Sequence, residues 1–167
     1  MLADIPDGAD CFIDATIFYY HLVHTPHLSD DCSDFLRRVE LKRVRGHTTP
    51  IAVSEATHKV MFAEIVQRHA VDHKGLVARI KRHPELLDGL ADHKMVSATV
   101  RALDVRVEAV TLDVLARAAE LSSQERLLTN DALTLAVMET TNLTCLATND
   151  DDFDSVSAIT VFKPARR

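Results

Sequence analysis

Residues 145–156 read CLATNDDDFDSV, an apolar run that gives way within three residues to Asp150, Asp151 and Asp152. A short apolar run bounded by turn formers fits a buried strand, so the acids stand just past its carboxyl end. Turn chemistry alone would account for them, since aspartate tolerates tight turns and caps helices. The same arrangement occurs near the other end of the chain, where Cys11-Phe12-Ile13 runs directly into Asp14. Two apolar strands that each end in a carboxylate set the terms for the rest of the sequence.

Between them the pattern is mostly helical. Ser29 to Asp31 can cap a helix through Phe35, Leu36 and Val39 toward Val44, with Gly46 as its stop. Thr49-Pro50 pairs an N-cap with proline at the first helical position, which starts a helix through about His69 and puts Glu55 in its second turn. From Val71 to Leu103 the periodicity breaks at His83-Pro84 and Gly89, giving two or three short helices. Val105 to Val110 alternates as a strand does, and Thr111 caps a helix through Leu121. Asp131 then opens the nearly all-apolar stretch Ala132–Met138, a helix that must be buried all round. Leu143–Ala147 and Ile159–Phe162 are the last strands.

Strands alternating with helices predict an α/β fold, an α/β/α sandwich on a central, mainly parallel sheet. With 167 residues, 47% of them hydrophobic, and no linker or repeat, a single domain over 1–167 is expected, carrying extra helices around 71–103. Ligands of such folds gather beyond the carboxyl ends of the strands. Asp14 and the Asp150–Asp152 cluster both lie there. Carboxylates that converge at one sheet edge repel and raise one another's pKa unless a cation neutralises them. A hard divalent ion held by a few carboxylates and substrate phosphate oxygens is the natural partner, and phosphodiester hydrolysis is the chemistry it serves.

The segments CFIDATIFYYHL, TTPIAVSEATHKVM, LLTNDALTLAVM and CLATNDDDFDSV resemble, in order, the four acidic motifs of PIN-domain ribonucleases, and most nearly those of the VapC-like toxins of prokaryotic type II toxin–antitoxin pairs. The resemblance implies that Asp14, Glu55, Asp131 and Asp150 bind Mg²⁺ or Mn²⁺, with Asp152 as a further or water-mediated ligand. Whether Asp150 or Asp152 is the principal fourth ligand stays open among three adjacent acids. It also implies that Thr16 and Thr148 orient carboxylates or water through their hydroxyls, that the substrate is RNA, and that the protein is a homodimer restrained by a cognate antitoxin. An inactive PIN-like module that binds RNA or protein is the alternative, and loss of one of the acids would mark it.

Other readings are weaker. His21, His24 and His27 suggest zinc, but Pro26 interrupts their spacing and no closed ligand set follows. His69 and His73 are four apart without the intervening glutamate of a metalloprotease. Asp14-Ala15-Thr16 lacks the second aspartate of an aspartyl phosphatase. Phosphate-loop, dinucleotide and nucleophile-elbow motifs are absent. The formal charge of −6 excludes nucleic-acid binding by overall positive charge, although local basic stretches remain at Arg37–Arg45, Arg79–Arg82 and Lys163–Arg167. Three cysteines without close pairing fit free thiols of the cytoplasm. No apolar run approaches membrane-spanning length, and Met1–Ala9 lacks the features of a targeting segment. A soluble, cytoplasmic protein is expected.

Overall fold

The computed structural model describes residues 1–165, so Arg166 and Arg167 of the last basic stretch lie outside the described residues. Five strands, β1 (Asp10–Ile13), β2 (Arg45–Thr48), β3 (Arg106–Val107), β4 (Cys145–Ala147) and β5 (Thr160–Phe162), form one sheet in the order β3-β2-β1-β4-β5. Every pairing is parallel. The helices are α1 (Ala15–Leu22), α2 (Ser29–Glu40), α3 (Pro50–His69), α4 (Leu76–Arg82), α5 (Met95–Ala102), α6 (Leu112–Glu125) and α7 (Thr129–Thr140).

Strand order dictates the layers. The chain moves outward from β1 through β2 to β3, then returns across the sheet to β4 on the other side of β1. Crossovers between parallel strands are right-handed, so reversing their direction moves the connecting helices to the opposite face. Side chains alternate accordingly. Cys11, Ile13, Cys145 and Ala147 join residues of α1, α2, α3 and α5 in one core, whereas Phe12 and Leu146 pack with α6 and α7 in a second. A smaller cluster of Phe62, Ile65, Leu76 and Leu90 lies beneath α4 against the far half of α3. The expected α/β/α sandwich is therefore present, and α5 of the middle region belongs to a main core.

Three local expectations need correction. Helix α2 ends at Glu40, and Lys42 turns the chain with φ 58°. Gly46 is no helix stop but lies inside β2, where an added Cβ would come within 2.7 Å of the Ile13 side chain, 3.1 Å of Val39 and 3.2 Å of Val105. Strand β2 escaped the sequence reading because Arg-Gly-His-Thr has no apolar alternation. Its polar groups are instead paired: Arg45 with Asp10 at 2.6 Å, and His47 with Asp10 at 3.0 Å and Glu108 at 2.7 Å. The strand expected over Val105–Val110 shrinks to the two exposed residues of β3 at the sheet edge, extended by Glu108 N–H donating to Thr48.

The three cysteines are free and buried. Cys11 and Cys145 are in register on adjacent strands, with sulfurs 2.8 Å apart. Among the described residues no helix is long and apolar enough to cross a membrane.

Candidate active site

Strands β1 and β4 flank the point where strand order reverses, which opens a crevice at their carboxyl ends. Asp14 leaves β1 there and caps α1, accepting from Thr16 N–H at 3.1 Å. The same oxygen, Oδ2, accepts from the Thr16 hydroxyl at 2.6 Å and the Thr148 hydroxyl at 2.9 Å. Three donors on one oxygen fix the carboxylate, and Oδ1 has no protein donor among the described residues. Thr148, fully buried just past β4, also accepts from Asp150 N–H at 3.0 Å. Thr16 in turn accepts from Asn149 N–H at 3.0 Å. Strand ends more than a hundred residues apart in sequence are thus tied through two hydroxyls.

The remaining acids come from the helices on either side. Glu55 is on α3 and Asp131 is the third residue of α7; together with Asp150 and Asp152 they line an open cavity of about 480 Å³. Burial, then the charges of Asp150, Asp152, Asp14 and Glu55, push the Asp131 carboxyl up to about 6. Four of the five acids selected from the sequence thus line one cavity, and the fifth, Asp14, is joined to Asp150 through Thr148. Among the described residues no three of them converge into a ready ligand cage. An open set of carboxylate oxygens suits magnesium, which keeps much of its water and takes few protein ligands.

Asp151 separates from its neighbours. Its carboxylate lies 2.6 Å from Lys163, which also holds Asp154, while Asp152 N–H donates to Asp150 Oδ1 at 3.0 Å. Alternate members of the acidic run thus face the cavity, and Asp151 anchors the turn to the chain beyond β5.

Two polar residues at the site went unread in the sequence. Lys59 stands 2.9 Å from Glu55, one turn further along α3; the Glu-x-x-x-Lys spacing was available as a signal. Asn130, beside Asp131, donates to the other Glu55 oxygen at 3.4 Å. The competing histidines do not assemble: His21 bonds Ser33 at 2.9 Å, and His73 packs edge-on against Phe62.

The sequence matches the PIN domain family over residues 11–159. This chain belongs to the PIN domain family. Among solved structures, the PIN chain is similar in fold to the VapBC2 structure from Rickettsia felis, which was solved bound to a DNA fragment from the VapBC2 promoter. The TM-score is 0.54 at 15% identity, covering 92% of this chain and 98% of the other. No curated protein sequence matches the chain.

Proposed function

We propose that this PIN-domain protein is a metal-dependent endoribonuclease and the toxin of a toxin–antitoxin pair. One observation supports the reading: four separate segments bring carboxylates to the crevice at the strand reversal, with Glu55, Asp131, Asp150 and Asp152 lining one cavity and Asp14 joined to Asp150 through Thr148. Asp14, Glu55, Asp131 and Asp150 would hold Mg²⁺ or Mn²⁺, with Asp152 at the open side. When bound, the ion supplies an ionised water and neutralises charge on the phosphate during in-line hydrolysis. The chain's own part is positioning. Thr16 and Thr148 lock Asp14, Thr148 and Asp150 share a hydrogen bond, and burial with the surrounding charge pushes the Asp131 carboxyl up toward its protonated form while no cation is present.

The toxin assignment rests on the sequence motifs together with likeness in fold to a VapBC2 assembly, and it brings a cognate antitoxin and a homodimer as partners. Purified protein incubated with a mixed RNA pool in Mg²⁺, Mn²⁺ or EDTA tests the nuclease. Cleavage should require metal and vanish in Asp14→Asn and Asp131→Asn; full cleavage by both variants sinks the assignment. RNA binding without turnover would favour the binding module. Expression that arrests growth, relieved by Asp14→Asn or by a small protein encoded alongside, tests the toxin role.

A further inference from the structure

A second cavity, of about 580 Å³, adjoins the acidic crevice between α1 and α3. Thr16, whose hydroxyl binds Asp14, and Lys59, whose amine binds Glu55, line it, so each cavity wall on this side is one hydrogen bond or ion pair from a carboxylate of the acidic site. Its walls are aromatic. Tyr19 and Tyr20 of α1 meet edge to face at 5.1 Å; across from them His58 and Phe62 of α3 lie 4.0 Å apart, with His73 5.7 Å beyond Phe62. Tyr20 is tied to the strand end, since its hydroxyl accepts from Asn149 Nδ2 at 3.2 Å while Asn149 N–H donates to Thr16.

Aromatic faces beside a cation are what a single-stranded nucleic acid uses, its bases stacking and its backbone following the positive charge. Here the cation is Lys59, at the border with the carboxylates, so a phosphate at the acidic site would have Lys59 beside it. The imidazoles of His58 and His73 and the tyrosine hydroxyls add groups that can bond the edge of a base. The geometry points to a stacking subsite for an unpaired nucleobase next to the scissile phosphate, formed by Tyr19, Tyr20 and His58 over a floor made by the buried Phe62. This inference rests on the ribonuclease reading and adds to it the part of the substrate that is gripped.

The test uses hexaribonucleotides carrying 2-aminopurine at one position each, bound to the full chain in Ca²⁺ and followed by fluorescence. Stacking on the cleft should quench one position more than the rest. Tyr19→Ala and His58→Ala should each remove that quenching and weaken binding roughly tenfold, within the range expected for loss of one stacked base. Leu112→Ser, at an exposed position on α6 outside the cleft and the acidic cavity, should still quench. No RNA binding, uniform quenching, or quenching that survives both cleft substitutions overturns the subsite; occupation by an apolar peptide instead would give the first or second result. Metal-dependent cleavage is scored separately. Cleavage without position-specific quenching removes the subsite and leaves the nuclease, whereas quenching without cleavage removes the nuclease and keeps the cleft as a base-binding site.

Discussion

The Thr148 hydroxyl donates to Asp14 Oδ2 at 2.9 Å and accepts from Asp150 N–H at 3.0 Å. One buried side chain therefore couples the carboxyl ends of β1 and β4, and with them two proposed ligands. Thr148→Val keeps the shape but leaves a backbone donor and a carboxylate each short of a partner. Stability should fall by about 1–3 kcal/mol. Cleavage at limiting Mg²⁺ should fall roughly 10–100-fold, as for other groups that orient metal ligands. Thr148→Ser should retain most of both, and a Thr148→Val variant as stable and active as wild type would show that the hydroxyl does not couple the two strand ends.

Asp131 gives a pH dependence whose sign is fixed. Burial and the surrounding acids raise its carboxyl from 3.8 to about 6, so the folded protein holds this proton more tightly than the unfolded chain. Metal-free stability from this group is full below about pH 4 and is lost as pH rises through 6. Asp131→Asn should remove that slope. In EDTA at pH 7.5 the variant should be more stable than wild type by on the order of 1 kcal/mol, a figure reduced for solvent screening of a half-exposed group. Urea denaturation at pH 4 and 7.5 measures it. Parallel slopes for the two proteins would refute the shared-field account.

Gly46 is a test of the core rather than the site. A methyl group there meets Ile13 of β1, Val39 of α2 and Val105 just before β3. Gly46→Ala should cost about 1–3 kcal/mol through overpacking, read as a lower denaturation midpoint with an unchanged slope. A neutral result would mean that Ile13 swings aside without loss.

Asp14, Asp131 and Asp150 were legible because each borders an apolar segment, whereas Glu55 stood out only through the resemblance to the second PIN motif. Asp14 and Asp150 follow buried strands, and Asp131 opens a helix whose residues 132–138 are all buried. What stayed hidden was held by pairing instead of pattern. His47 in β2 has Asp10 and Glu108 within hydrogen-bond distance of its two ring nitrogens, a long-range arrangement that leaves Arg-Gly-His-Thr looking like a loop. Asn149, between Thr148 and Asp150, carries no periodic signal, yet it joins Tyr20 to the strand end. Asp151 could be told from Asp150 and Asp152 only once Lys163, from beyond β5, was seen to hold it.

Lys59 is a cation already in place at a site proposed to take one. Burial alone would push its ammonium down, but the hydrogen bond and charge of Glu55, with the charges of Asp14 and Asp150, outweigh that and raise it, so it remains charged at neutral pH. An incoming Mg²⁺ must draw Glu55 away from Lys59 and tolerate a like charge nearby. Lys59→Met should therefore tighten metal binding, by roughly tenfold if the relief is about 1.4 kcal/mol, while weakening RNA binding through loss of the phosphate contact. Calorimetric Mn²⁺ titration and RNA affinity at fixed ionic strength separate the two effects. Weaker metal binding in the variant would assign Lys59 the opposite part, that of holding Glu55 in the orientation the ion requires.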